Sequence, residues 1–318
     1  MTTLYDRQIK LAFVAADGQA IDLSGLHVLF TVKQYETMTP NTCDLRIFNV
    51  SANTALKVGK EFDRVVLQAG YTGQFGTLFD GTIIQVRRGR VTPSDTYIDV
   101  TAFDADRAHN FAVVNQTLAA GATPDQIHRC LLASMAPYGV QEGFTDTLPG
   151  PALPRGRAIY GMTRDHLRDL ADNTDCVWNM RDGRLNFVSF NGYMPSEAVV
   201  LTSATGMIGL PEQTDDGIMV RTLINPLLKV NNSVQINNKS IQQARLQPTW
   251  SGKNVSQEAF LTQIDKDDGV YRILALDHTG DTRGQAWYTE ISCMSIDPSA
   301  VIPKGQLARG RGAAGTPQ

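Results

Sequence analysis

Between residues 43 and 103 apolar and polar positions alternate in short runs interrupted by glycine. In Val65, Leu67 and Ala69, in Ile84 and Val86, and in Ile98, Val100 and Ala102, the apolar residues fall on every second position. That period turns one face of each segment toward a core. Gly70, Gly73, Gly76 and Gly81 are read as the turns between these strands. The earliest strand in this reading passes through Val28, Phe30 and Val32, so the first 110 residues are almost wholly β. One short helix over 52–57 interrupts them, with Ser51 as its N-cap.

The period changes farther along. Residues 111–122 are uncharged and irregular and read as a connector. Thr123 is then a good N-cap, Pro124 suits the first helical position, and Asp125 favours the positive helix end. Ile127, Leu131 and Met135 return every four residues along one face, before a stop at Pro137 and Gly139. A loop rich in Pro and Gly over 147–156 leads to a second helix, capped by Thr163, with Asp165 in its first turn and Leu167 and Leu170 facing inward. Cys176, Trp178 and Met180 on one side, and Leu185 and Phe187 on the other, flank Asp182-Gly183, a pair suited to the positive φ of a two-residue hairpin turn.

From about residue 200 the chain is β again. A strand through Ile218 and Val220 runs toward Ile224 and ends at Asn225-Pro226. Segments 228–230 and 234–236 flank a turn at Asn231-Asn232, and two last strands over 270–276 and 287–293 are linked by a loop over 277–285. The fold class is therefore mainly β with a small α/β segment. Its expected divisions are a β region over 1–110, an α/β domain with two helices and a hairpin over 111–200, a second β region over 201–300, and a flexible C-terminal tail over 301–318.

Composition narrows the function classes. The chain has 318 residues, 42% hydrophobic and 19% charged, which describes a globular protein of two domains with room for a third. A net charge of −3 provides no basic footprint for nucleic acid or a membrane surface. No apolar run approaches the ~20 residues that span a bilayer. Asp6, Arg7 and Lys10 stand where a signal peptide would be apolar, so folding in a cytoplasm is expected. Cys43, Cys130, Cys176 and Cys293 lie far apart without a C-x-x-C pair and read as reduced thiols, most of them buried.

Candidate chemistry is sparse. GYTGQFG (70–76) has the spacing of no phosphate loop, lacks a following Lys-Ser/Thr, and runs into a strand instead of a helix. Asp265-Lys266-Asp267-Asp268-Gly269 resembles the start of a calcium loop, but its glycine is one position early and Leu276 stands where a bidentate glutamate belongs. His27, His109, His128, His166 and His278 show no zinc spacing; His128 and His166 read as satisfied surface or boundary residues of helices. There is no G-x-S-x-G elbow, and no pair of carboxylates is singled out for glycoside cleavage. Asp104 and Asp106 read as solvated turn residues. Arg87, Arg88 and Arg90 read as a charged hairpin tip or a salt-bridged interface, ahead of a nucleic-acid contact. Trp178 and Trp287 are expected in cores, and Trp250 stands apart from both. No residue is assigned to catalysis, to a cofactor or to a metal.

Four blocks carry a resemblance: LRIFNVS with VVLQAGYTGQFGTLFDGTII, HLRDLADNTDCVWNMRDGRLNFV, GMIGLPEQTDDGIMVRTLINPLLKV, and YRILALDHTGDTRGQAWYTEISCM. Together and in this order they resemble the hub protein of contractile phage-tail baseplates, a relative of the N-terminal part of type VI secretion spike proteins. Asn231-Asn232 departs from relatives that use glycine there, and fits the same turn. The resemblance implies two tail-tube-like β-barrel domains, for which 1–110 and 201–300 are the candidates, plus an inserted α+β domain. It implies a homotrimer presenting six tube-like units, a symmetry adaptor between the hexameric tail tube and the trimeric central spike. The implied partners are the tail-tube protein, the central spike protein and other baseplate proteins. No cofactor, small-molecule substrate, enzymatic role or membrane insertion by this chain is implied. The implied location is the virion tail baseplate, assembled in the host bacterial cytoplasm. Two other readings stay open: a tail-associated cell-wall hydrolase, and another tube or tube-terminating tail protein. The α/β segment weighs against the latter, since a plain tube subunit needs only one barrel.

Overall fold

The computed structural model describes residues 5–190, 192–214, 217–237, 242–243 and 268–296. The first region contains β1 (Arg7–Ala15), β2 (Ala20–Asp22), β3 (Val28–Tyr35), β4 (Thr42–Phe48), α1 (Ala52–Lys60), β5 (Phe62–Tyr71), β6 (Gln74–Arg90) and β7 (Thr96–Phe103). Strand β1 was not expected, because Arg7 and Lys10 mask its alternation; Leu11 and Phe13 are nevertheless fully buried. Ser51 caps α1 as expected, its hydroxyl accepting from the Thr54 N–H at 3.1 Å.

Strand β6 is 17 residues long and shared between two pairings. Its first half lies against β5 up to Thr82, and its second half lies against β7 from Thr82 to Arg90, with a bulge between Ile83 and Gln85. The bulge shifts the alternation, so Ile84 is exposed instead of facing the core. The expected glycine turns also need correction. Gly73, at φ 91°, makes the two-residue turn into β6, whereas Gly70 lies inside β5 and Gly76 and Gly81 lie inside β6. A Cβ at Gly76 would stand 3.1 Å from the Pro226 ring, and one at Gly81 would stand 2.6 Å from the Phe103 carbonyl oxygen. Those two glycines permit close approach and do not turn the chain.

The middle region contains α2 (Asp106–Phe111), β8 (Val113–Leu118), α3 (Pro124–Met135), β9 (Gln141–Thr145), β10 (Arg157–Met162), α4 (Thr163–Asn173), β11 (Cys176–Arg181) and β12 (Arg184–Ser189). The expected connector over 111–122 is largely strand: β8 pairs antiparallel with β10. Thr123 and Gln126 form a reciprocal capping box at the start of α3. Thr163 is not the cap of α4; it is the first helical residue, fully buried, with its hydroxyl 2.7 Å from that of Ser134. The hairpin β11–β12 forms as read, with Asp182 and Gly183 at φ 53° and 70°.

The last region contains β13 (Val199–Leu201), β14 (Met207–Thr214), β15 (Gly217–Leu223), β16 (Ser233–Asn237), β17 (Gln242–Gln243), β18 (Asp268–Asp281) and β19 (Trp287–Ser295). Segment 228–230 is not a strand; Leu228 and Val230 are buried from irregular backbone that ends at Asn231, φ 67°. The loop expected over 277–285 is shorter, because β18 continues to Asp281. That extension pairs antiparallel with β3, from Leu29 opposite Asp281 to Tyr35 opposite Ala275. The two β regions thereby become one sheet, in the order β17-β14-β15-β19-β18-β3-β4-β7-β6-β5-β1-β2, with β13 and β16 attached at β18.

Among the described residues the buried apolar side chains form three clusters. One fills the first region and takes in Ile224 and Trp287 from the last. One belongs to residues 108–187, and one to residues 201–293. The tail over 301–318 lies outside the described residues.

Candidate interaction surface

The residues singled out for chemistry are dispersed. His27 lies 2.8 Å from Asp281 and stacks on Phe48; His166 is half-buried and 3.2 Å from the Tyr160 carbonyl. His128 departs from expectation: it is buried, edge-on to Phe187 at 4.9 Å, its Nε2 lacks a partner, and burial holds its pKa down. Cys43, Cys176 and Cys293 are buried free thiols, and burial pushes all three away from the thiolate. Trp178 and Trp287 occupy cores. Trp250 and the 265–267 part of the acidic turn lie outside the described residues. Among the described residues, no three His, Cys, Asp or Glu side chains are grouped to hold a metal, and no helix is long and apolar enough to cross a membrane.

Asp104 is the largest departure. It ends β7 beneath the β11–β12 turn, buried, with its carboxylate accepting the N–H groups of Asp182 at 2.7 Å and Gly183 at 3.2 Å. Burial and the nearby Asp182 raise its pKa to about 6, against the pull of the two N–H donors. Asp106 instead opens α2 and accepts from the Asn110 amide.

The surface that the fold assembles is the outer face of the continuous sheet. Strand alternation places Val32, Leu45, Val100, His278 and Ile291 inward, and Lys33, Arg46, Asp99, Asp277, Glu290 and Arg221 outward. The outward charges are mostly paired. Arg46 holds Asp99 in a fork of 2.7 and 3.0 Å and lies over the Tyr97 ring. Arg87 approaches the same carboxylate at 4.0 Å, while Arg88 donates to the Ala55 carbonyl of α1. The Arg cluster is therefore partly built into the sheet by ion pairing and helix contacts. Arg221 pairs with Glu290 and lies over Tyr288. Across the junction of the two β regions Lys33 stands opposite Asp277, whose pKa burial raises and Lys33 lowers.

Two further features stand out by their burial. Phe111, Val113, Tyr138 and Tyr160 are exposed on the middle region, where the Tyr138 hydroxyl donates to the Phe111 carbonyl. At the other end of the junction, Arg272 is buried with one arm on Glu36 and the other on the carbonyls of Ser189, Phe190 and Gly192, at 3.0, 2.8 and 2.7 Å. Single-sequence reading missed this node, because a lone Arg in a strand has no local signature and its partner Glu36 lies 236 residues away along the chain.

No family model matches the chain, and no curated protein matches it in sequence. Solved structures do match. A 43 kDa tail protein of prophage MuSo2 from Shewanella oneidensis is similar at TM-score 0.57 and 10% identity, over 94% of this chain and 99% of that one. A tail protein from Neisseria meningitidis MC58 is similar at TM-score 0.56 and 11% identity, over 92% and 97%. An Escherichia coli component of the type VI secretion system, described as structurally similar to bacteriophage T4 tail proteins, gives TM-score 0.52 and 11% identity, over 93% and 78%. The resemblance of the four sequence blocks and the likeness of the whole fold agree: this chain shares the fold of these phage tail proteins and of a component of the type VI secretion system.

Proposed function

We propose that the protein is the structural hub of a contractile-tail baseplate, a homotrimer that adapts the hexameric tail tube to the trimeric central spike. The observation that carries this reading is the β3–β18 pairing, which joins two β regions into one sheet with a packed inner face and a partly exposed, charge-paired outer face. On this reading 1–110 and 201–300 are two tube-like barrels, 111–200 is the inserted α+β domain, and three chains present six tube-like units. A polar outer face with its cations and acids neutralised locally suits the wall of a water-filled channel. The sheet ends resist uncontrolled growth: β2, at one end, has three residues, and β17, at the other, has two. Assembly is then limited by ring closure, through interfaces that typically bury upwards of ~2,000 Å² in obligate complexes. The partners are the tail-tube protein, the spike and other baseplate proteins, the location is the virion, and assembly takes place in the host bacterial cytoplasm. The role is non-enzymatic.

Size-exclusion chromatography with light scattering tests the proposal. The expected mass is three times the 34.8 kDa of the chain. A strict monomer at high concentration, or clearing of a peptidoglycan suspension that disappears on mutating one Asp or Glu, would overturn it.

A further inference from the structure

We propose that the α/β module over 105–189 is a hinged body, held on the β sheet by a releasable polar clamp in which the Arg272 guanidinium is the pin. The proposal does not depend on the hub reading. The module's apolar core is its own: the cluster spans Ala108 to Phe187, and from the sheet regions Met38, at the β3–β4 connection, is the side chain packed against it. What holds the module in place is instead a set of individual polar groups. Asp104 accepts two N–H groups of the β11–β12 turn. The Asn41 amide donates to the Met180 carbonyl at 3.1 Å, and Arg181 donates to the Val230 carbonyl at 2.7 Å. Lys229 lies 2.7 Å from Asp182. Arg272 ties Glu36 of the first region to three carbonyls at the module's exit.

Contacts of this kind exchange with water group for group, so each can be released singly. The closed position also carries unrelieved desolvation. Arg272 is 1% exposed with its Nε unpartnered, and the Asp104 carboxylate is buried near Asp182 and Asp80, each of the latter paired with its own cation, Lys229 and Arg64. Two tethers serve as hinges. The entry tether holds Ala105 at φ 51°, and the exit tether passes Gly192 before the Met194 N–H anchors to the Asn231 carbonyl at 2.8 Å. A neighbouring protein that takes over these polar contacts can re-angle the module while the sheet stays rigid.

Hydrogen exchange on the full-length chain tests the hinge. In Arg272→Met, the amides of Asp182, Gly183, Ser189, Phe190 and Gly192 are expected to exchange at least tenfold faster. The amides of β5–β7, of the β3–β18 pairing and of α3 should keep wild-type protection. A milder variant, Lys229→Met, should show the same local pattern at about threefold. Loss of protection everywhere at once would show that Arg272 belongs to one global core, and unchanged exchange would show no clamp; either overturns the proposal. If Arg272→Met does not fold, the absence of the local pattern in Lys229→Met and Asn41→Ala overturns it as well.

Discussion

The molecule contains two joints built from different chemistry. Where β3 meets β18, seven residue pairs continue a backbone ladder, and Trp287 from the last region packs edge-on to Phe30 at 5.4 Å inside the first core. Where the α/β module meets that sheet, the joint is a handful of side chains: Asp104, Asn41, Arg181, Lys229 and Arg272. A ladder joint spreads its free energy over many equivalent bonds and shared apolar burial, so no single polar group controls it. A side-chain joint can be addressed one residue at a time. The contrast teaches which part of the chain acts as frame and which part is adjustable.

The largest expected effect is on the frame. Trp287→Ala should cost about 3–5 kcal/mol by urea denaturation, because it empties the centre of the core that spans the ladder joint. A cost under about 1 kcal/mol would mean that the two β regions are only laterally attached.

Acid should move the two joints in opposite directions. His278, on β18 opposite Val32, is fully buried, and burial, with a smaller contribution from Lys229, lowers its pKa from 6.5 to about 4. The unfolded chain accepts a proton that the folded chain refuses, so this stability is present above pH 6.5 and lost as the pH falls toward 4. Asp104 is raised from 3.8 to about 6, so the folded chain takes up its proton first. Its contribution is fully present below pH 3.8 and lost as the pH rises through 6. Between pH 6.5 and 4.5 each is worth about 2 kcal/mol with opposite sign. The wild type should therefore change little over that interval, His278→Gln should become more stable on acidification, and Asp104→Asn should become less stable. Denaturation curves of the three proteins at both pH values check this, and parallel behaviour of the two variants would contradict it.

Smaller effects separate the module from the sheet. Thr123→Ala removes one half of the α3 capping box and should cost about 1 kcal/mol. Exchange should quicken in α3 while β3–β18 protection persists. Smallest is the outward pair Arg221–Glu290, with side chains 51% and 37% exposed. A double-mutant cycle should return below about 1 kcal/mol, falling further in high salt.

Local chemistry was legible and distant pairing was not. Ser51, Thr123 and Asp182-Gly183 announced themselves because caps and tight turns are set by neighbouring residues and by which residues tolerate positive φ. The alternation of 65–69 and 98–102 identified inward faces correctly, since period two follows from the strand backbone itself. It failed at Ile84, where a bulge inserted an extra residue, and at β1, where Arg7 at the strand's start and Lys10 on its outer face diluted the pattern. Thr163 looked like a cap by residue type, yet its hydroxyl is claimed by Ser134 across the module.

The amino-acid order alone thus determined the helix caps, the hairpin turn, most of the inward faces and a mainly β fold class. Tertiary structure alone decided what those faces and ends meet. It paired Leu29 with Asp281, seated Asp104 under a hairpin turn, and drew Glu36, Arg272 and Gly192 to one point. The physical reason is range: propensity and periodicity act over a few residues, whereas strand partners and buried polar groups are selected by the packing of the whole chain, and leave no mark on the residues beside them.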